Sequence, residues 1–317
     1  MIRAGIMGGQ SDAAGQLIRI LVNHPDVEIV RVVDPDLEGI EVAKVHKGLI
    51  GDTYLRFEAQ EKIDDLNMIF LCYPLEGDGA AFMSRHDLPD SMRVIDFSGD
   101  HVTEAFQSHF DPDASPTPGK WVYGLPELFR KPLVRGATRA TVPGPVAMAV
   151  ATALLPLAKN HLIEPDAEIH IAASIASNEA EPGEVLALLD HESLDEVALA
   201  LKALQPEFSG KLSMVLTSGG WQRGVAATVY LPSTVSEAKV EEVYQDFFDD
   251  HNFTFLTKSI PNLSEVDHTN KCLLRLDHVN SYLVVSVVID DLMKGSAGNA
   301  VHLMNLLFGL QERVGLC

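Results

Sequence analysis

Five stretches of this 317-residue chain hold residue types at spacings that could do chemistry. The first, Gly8-Gly9-Gln10-Ser11-Asp12-Ala13-Ala14-Gly15, follows a short apolar segment and precedes one with helical periodicity. Glycines between a strand and a helix let the backbone approach a pyrophosphate, which then sits on the helix N-terminus. Gly8 and Gly9 suit that role, with Ser11 beside them; a tight strand-to-helix turn without a ligand is the other reading. Asp12 works against a phosphate, since like charges a few ångströms apart cost about 1–4 kcal/mol depending on screening.

Asp34 and Asp36 close a Val/Ile-rich segment. An acid at that point accepts hydrogen bonds from the ribose hydroxyls of NAD, whereas the 2′-phosphate of NADP wants an arginine or a Ser/Thr cluster. Val33-Asp34-Pro35-Asp36-Leu37-Glu38 offers three acids and no base. A dinucleotide bound here is therefore expected to be NAD; acids that merely solvate a loop are the alternative. Later, Lys294-Gly295-Ser296-Ala297-Gly298-Asn299 puts small residues at a helix start, where a ligand can approach the backbone. Gly295 and Ala297 would equally permit tight packing.

Nucleophiles are scarce. Cys72 ends an apolar run, Cys272 begins one and Cys317 is terminal; buried thiols are usually inert. The cysteines show neither metal-ligand spacing nor a disulfide framework, and no metal is expected. His191 and Ser193 suggest a base and a nucleophile, but two residues apart on a helix they point to different faces. Arg223 could bind a carboxylate or phosphate bidentately, or serve a structural salt bridge. The fifth stretch runs from Arg139 through Pro143-Gly144 into a long apolar helical pattern. A nucleophile just after such a turn lies at a helix N-terminus, where the dipole lowers a thiol pKa. Pro145 stands there, with no reactive side chain, in a place favoured for proline in a first helical turn.

The elements that must position these residues alternate. Arg3–Met7, Glu28–Val33, Met68–Cys72 and Arg93–Phe97 read as strands, the last two as runs buried on both faces, with a helix over Ala13–Asn23. This order predicts a doubly wound, Rossmann-type parallel sheet, α/β in class. From Val146 a helix runs to about Asn160, then a strand over Ala167–Ser174 and helical patterns through Leu204. Strands are expected at Leu212–Thr217, Val225–Leu231, Cys272–Leu276 and Tyr282–Ile289, with a helix capped by Ser236. The second part is thus an α+β domain. The expected boundaries are 1–145 with 296–317 for the first domain and 146–295 for the second.

Composition narrows the classes. The chain has 45 acidic and 24 basic residues, a net charge of −21, which argues against nucleic acid, whose phosphates need a basic surface. No apolar run is long and charge-free enough for a bilayer, and no secretory segment opens the chain, so a soluble, cytoplasmic protein is expected.

Several blocks in order carry a resemblance over nearly the whole chain. They are Met1-Ile2-Arg3-Ala4-Gly5-Ile6-Met7-Gly8-Gly9 with Leu17-Ile18-Arg19, Val94-Ile95-Asp96-Phe97-Ser98, and Val122-Tyr123-Gly124-Leu125-Pro126-Glu127-Leu128. Pro143-Gly144, Arg223-Gly224 with Ala227-Thr228-Val229, and Lys294-Gly295-Ser296-Ala297-Gly298-Asn299-Ala300-Val301 running on to Leu310 follow. Together these resemble the N-acetyl-γ-glutamyl-phosphate reductases of arginine biosynthesis, in the semialdehyde dehydrogenase superfamily.

The resemblance implies a cysteine thiolate that attacks an acyl phosphate, hydride from NADPH, and a histidine of a His-x-His motif for proton transfer. It implies a final helix, Ser296–Leu310, that returns to the first domain, and a homo-oligomer, dimer or tetramer. Cofactor contacts fall on Gly8, Gly9, Ser11, Asp34, Ser98, Gly144, Lys294, Gly295, Gly298 and Asn299. Substrate contacts fall on Ser174 and Arg223. The departures are as informative. The family's Asn-Pro-Gly-Cys is Val142-Pro143-Gly144-Pro145 here, its His-x-His is His191-Glu192-Ser193, and a dinucleotide glycine is Ser11. The substrate loop after Ser174 gains Glu179 and Glu181 and reaches His191 by a shortened connection. Loss of all these parts together predicts a non-catalytic paralogue with a binding or regulatory role. An NAD-dependent oxidoreductase of cysteine-independent chemistry, and the family reaction itself, are the rivals.

Overall fold

The computed structural model describes residues 1–177 and 180–316. The elements of the N-terminal part are β1 (Ile2–Met7), α1 (Asp12–Leu21), β2 (Val27–Val33), α2 (Val42–Val45), β3 (Phe57–Glu58) and β4 (Met68–Leu71). They continue as α3 (Asp78–Arg85), β5 (Arg93–Asp96), α4 (Val102–Ser108), β6 (Trp121–Tyr123), α5 (Pro126–Val134) and β7 (Arg139–Thr141). The seven strands form one sheet in the order β3-β2-β1-β4-β5-β7-β6, parallel at every pairing. All four residues of β4 are buried, as a strand covered on both faces requires. The strand order reverses between β1 and β4, the topological switch point at which open α/β sheets bind ligands.

The remaining elements are α6 (Pro145–Lys159), β8 (Glu168–Ala176), β9 (Val185–Leu188), α7 (Ser193–Leu204), β10 (Lys211–Gly219), β11 (Val225–Pro232), α8 (Glu237–Phe248), β12 (Thr254–Leu256), β13 (Cys272–Val279), β14 (Tyr282–Ile289) and α9 (Gly298–Leu307). The second sheet is mixed, in the order β12-β13-β14-β11-β8-β10-β9. α6 is apolar almost throughout, with every residue from Val146 to Ala158 buried, and it packs on β8, β11 and β14. The chain divides into two compact units, Met1–Pro143 with Ser296–Cys317, and Gly144–Gly295. The first is the expected Rossmann-type unit and includes the returning C-terminal helix α9, which packs on α1, α5 and β5.

Local differences have physical causes. The helical reading between Ser174 and Leu204 is corrected: Val185-Leu186-Ala187-Leu188 pairs with β10 as a strand, and helix begins only at Ser193. A short apolar run does not distinguish strand from helix by periodicity. The final helix starts at Gly298, two residues later than expected, because Met293–Ala297 forms a π-type turn with Ser296 at φ −158° and ψ −107°. No helix of the described residues is long and apolar enough to cross a membrane.

The tail after α9 is pinned within the first unit. Asn305 Nδ2 donates to Glu312 O at 3.0 Å and to Val314 O at 2.9 Å. The Glu312 carboxylate receives Arg130 Nε at 3.0 Å and faces His302 Nε2 at 2.7 Å. Burial raises the Glu312 pKa, but the hydrogen bonds and charges of His302 and Arg130 outweigh it and hold the group at about 2. A depressed folded-state pKa stabilises above the unfolded value and loses that contribution as pH falls through the folded one. Glu312→Gln is therefore expected to cost about 2 kcal/mol near neutral pH, allowing for solvent screening. In urea melts the gap to the wild type should close as pH falls from about 4.5 towards 2.

Candidate functional site

Pro145 is the first residue of α6, capped by Gly144 at φ −58° and ψ 143°. A proline there forfeits only an N–H that no intrahelical acceptor needs. Gly144 N–H donates to Glu196 Oε2 of α7 at 3.4 Å. A Cβ on Gly144 would lie 3.2 Å from Glu196 Oε1 and 4.0 Å from Ser193 Oγ. On the other side, a Cβ on Gly295 would come within 2.8 Å of Pro145 Cβ. Gly295 thus leaves room for the Pro145 ring against its backbone. The positive end of a helix dipole attracts an anion, and here the anion is a carboxylate of the chain itself.

His191 lies just before α7, not on it, which corrects the helical placement. Its Nδ1 accepts Ser193 N–H at 3.1 Å. Nδ1 thus serves as an acceptor at the start of the helix. The link between the two residues runs through the Ser193 backbone, and the Ser193 side chain is buried.

The expected substrate residues are not brought to this point. Alternation along β8 puts Ile171 and Ala173 in the core and Ser174 on the opposite face of the sheet. There the Ser174 hydroxyl is 2.6 Å from Thr217 Oγ1 of β10. Arg223 forms a bidentate pair with Asp290, Nε to Oδ2 at 3.0 Å and Nη2 to Oδ1 at 2.9 Å. Asp290 is fully buried and also accepts the N–H groups of His268, Leu292 and Met293. The guanidinium fork is thus engaged by the chain's own carboxylate. Of the loop after Ser174, Asn178 and Glu179 lie outside the described residues, as does Cys317. Cys72 and Cys272 are buried; burial and then the Asp96 charge push the Cys72 thiol well above its ordinary range.

In the first unit Gly8, Gly9, Ser11 and Asp34 come together at one turn. Gly8 adopts φ 74°, and a Cβ there would meet the Cys72 and Tyr73 backbone at 2.9 Å, so only glycine fits. Gly9 N–H bonds Val33 O at 3.0 Å. Asp34, buried at the end of β2, accepts Gln10 N–H at 3.3 Å, which turns the fingerprint acid towards the glycine turn. Ser11 departs from a phosphate cradle: its Oγ caps α1 by accepting Ala14 N–H at 3.2 Å and donates to Cys72 O at 2.9 Å. Ser98 is bonded to Asp96, Oγ to Oδ1 at 2.7 Å. Asn299 Nδ2 donates to Gly124 O at 2.8 Å, and Gly298 and Asn299 are buried; Lys294, which is buried too, belongs to the second unit. Glu196 and Asp290 were not singled out from sequence, because an acid on a helix or at a strand end looks solvated until its partner is known.

Comparisons with known proteins follow this geometry. The family model described as "Semialdehyde dehydrogenase, NAD binding domain" matches residues 3–135, and "Semialdehyde dehydrogenase, dimerisation domain" matches residues 146–291. The N-acetyl-gamma-glutamyl-phosphate reductase of Parabacteroides distasonis is 34% identical over 328 residues, covering 100% of this chain and 98% of the relative. Among solved structures, aspartate semialdehyde dehydrogenase II of Vibrio cholerae, complexed with ASA, superposes with a TM-score of 0.71 at 13% identity and covers 98% of each chain. Aspartate semialdehyde dehydrogenase of Candida albicans with NADP gives 0.68 at 12% identity, covering 97% of this chain and 98% of that one. Such distant structures speak for the fold alone, but identity and coverage to the curated relatives decide membership: this chain belongs to the N-acetyl-gamma-glutamyl-phosphate reductase family of semialdehyde dehydrogenases.

Proposed function

We propose that this chain is a non-catalytic member of its family that serves as a binding or regulatory protein. The observation that carries the reading is the start of α6. The family reaction needs a thiolate at that helix end, and Pro145 offers a saturated ring. An acyl phosphate brought there would meet the Glu196 carboxylate already bonded to Gly144 N–H, a like-charge encounter. Arg223 has its Nε and Nη2 engaged by Asp290, so the anion clamp does not stand ready, and the second histidine of the family's pair is Ser193 here.

A dinucleotide would supply redox chemistry, and the first unit fits its ribose end better than its pyrophosphate. Gly8 keeps its left-handed backbone and Asp34 its place beside the turn, whereas Ser11 ties up the Ala14 N–H and Asp12 adds charge. These features favour the second reading, an NAD-linked oxidoreductase without a thiol, only if NAD binds. Calorimetric titration separates the two. NAD is expected to bind at best with a Kd near 1 mM, and NADP about tenfold more weakly, since acids oppose its 2′-phosphate. Micromolar NAD binding would promote the oxidoreductase; tight NADP binding would revive the family reaction.

The setting proposed is cytoplasmic, with a homo-oligomer built on the face of the second sheet that α6 leaves open. His170, Ala172, Ser174, Val215 and Tyr230 lie on that face. No nucleic-acid role is proposed.

A further inference from the structure

Phosphates bind at helix N-termini because the first N–H groups there have no intrahelical acceptor. The first unit fills those places with its own side chains. At α3 the Asp100 carboxylate accepts Gly77 N–H on Oδ1 at 2.7 Å and Ala80 N–H on Oδ2 at 2.9 Å. At α1 the Ser11 hydroxyl holds the Ala14 N–H, and Asp12 stands exposed in the first turn. The second unit does likewise, with Glu196 on Gly144 N–H and Asp290 on the Arg223 fork. A phosphate arriving at any of these points finds the donor taken and a carboxylate beside it, and like charges repel. The net charge of −21 adds to the bias against anions.

The acid at the end of β2 is built differently. Asp34 is only 7% exposed, yet among the described residues its carboxylate has a single partner, Gln10 N–H on Oδ2 at 3.3 Å. Oδ1 is left without a donor, and a buried acceptor gains most from one. The Gln10 bond holds the carboxylate at the glycine turn after β1, beside the switch point where ligands enter an open α/β sheet. A vicinal diol offers a carboxylate its O–H donors without bringing charge. A metal ion would also satisfy Oδ1, but Asp34 belongs to no cluster of metal-ligating groups among the described residues.

We infer that the first unit binds a ribonucleoside that carries no phosphate, with its 2′- and 3′-hydroxyls donating to Asp34. Its 5′ end, which in a nucleotide bears the phosphates, would face Asp12 and the occupied start of α1 as a neutral hydroxyl. This deepens the binding role proposed above and rests on it, since a ligand without a nicotinamide brings no hydride. Turnover decides that role and binding decides the ligand, so either can fail alone.

Full-length protein is titrated calorimetrically with adenosine, guanosine, cytidine and uridine. At least one is expected to bind with a Kd of about 100 μM or tighter. For that nucleoside, the 2′-deoxy form should bind at least about tenfold more weakly for want of a donor to Asp34. Its 5′-monophosphate should be weaker by at least about tenfold as well, for the added charge. Asp34→Asn keeps an acceptor for Gln10 N–H, and should lose about tenfold in nucleoside affinity at unchanged Tm. Asp12→Asn should narrow the gap between the monophosphate and the nucleoside. The proposal is overturned if no ribonucleoside binds, or if the monophosphate or the 2′-deoxy form binds as tightly as the ribonucleoside. A folded Asp34→Asn protein with wild-type affinity would overturn it too; should that variant fail to fold, the ligand series on the wild type decides.

Discussion

Pro145→Cys protein is expected to remain at least about 10⁴-fold below ordinary enzyme turnover of roughly 1–10³ per second. The new thiol would occupy the first position of α6, where the dipole favours a thiolate. Its neighbourhood does not. Glu196 brings a carboxylate to Gly144 N–H, which opposes both thiolate formation and an incoming acyl phosphate. His191 Nδ1 is spent on a backbone amide and Arg223 on Asp290. Catalytic groups that act as a unit are strongly non-additive, so one restored member recovers little. Alkylation with iodoacetamide across pH reads the environment separately from turnover. Pro145→Cys/Glu196→Gln should titrate at lower pH than Pro145→Cys alone. Robust reductase turnover by the single variant would show that the rest of the site is intact.

Arg223→Ala should lower stability by about 3–5 kcal/mol, the cost of leaving a buried carboxylate without its counter-charge. Asp290 is fully buried, and its charge would then be faced by three backbone N–H groups without the guanidinium. The loss is expected as an earlier urea midpoint with an unchanged slope. Asp290 joins the loop before β11 to the residues that follow β14, so cleavage of the pair loosens both. A variant as stable as the wild type would instead mark Arg223 as a ligand-binding residue held for a substrate.

What the sequence disclosed and what it hid differ by the range of the interactions. β4 and β5 are continuous apolar runs because both faces are covered, and they were legible at once. Strands β3, β6 and β7, of two or three residues each, are too short to show a period. β9 is an apolar run on an exposed edge, so burial gave it no alternation to read. The Gly8 turn was visible because a left-handed backbone demands its residue type. Ser11 was recognised as a departure, yet its work as the α1 cap emerged only when Ala14 N–H and Cys72 O were found on either side of it. Ser174 and Arg223 were placed by resemblance, and their partners, Thr217 and Asp290, lie 43 and 67 residues away. Glu196, the residue that most changes the chemistry of the α6 end, lies 52 residues from Gly144; no local pattern announces such a meeting.

The most direct test of the central claim is turnover by the wild-type protein itself. Purified, cooperatively melting protein is assayed forward with N-acetyl-γ-glutamyl phosphate and NADPH, and in reverse with the semialdehyde, phosphate and NADP. With Pro145 at the start of α6 and Glu196 at its amide end, no reduction above the uncatalysed background is expected in either direction. Turnover above roughly 1 per second, an ordinary enzymatic rate, would contradict the account and require a nucleophile other than a cysteine at this helix.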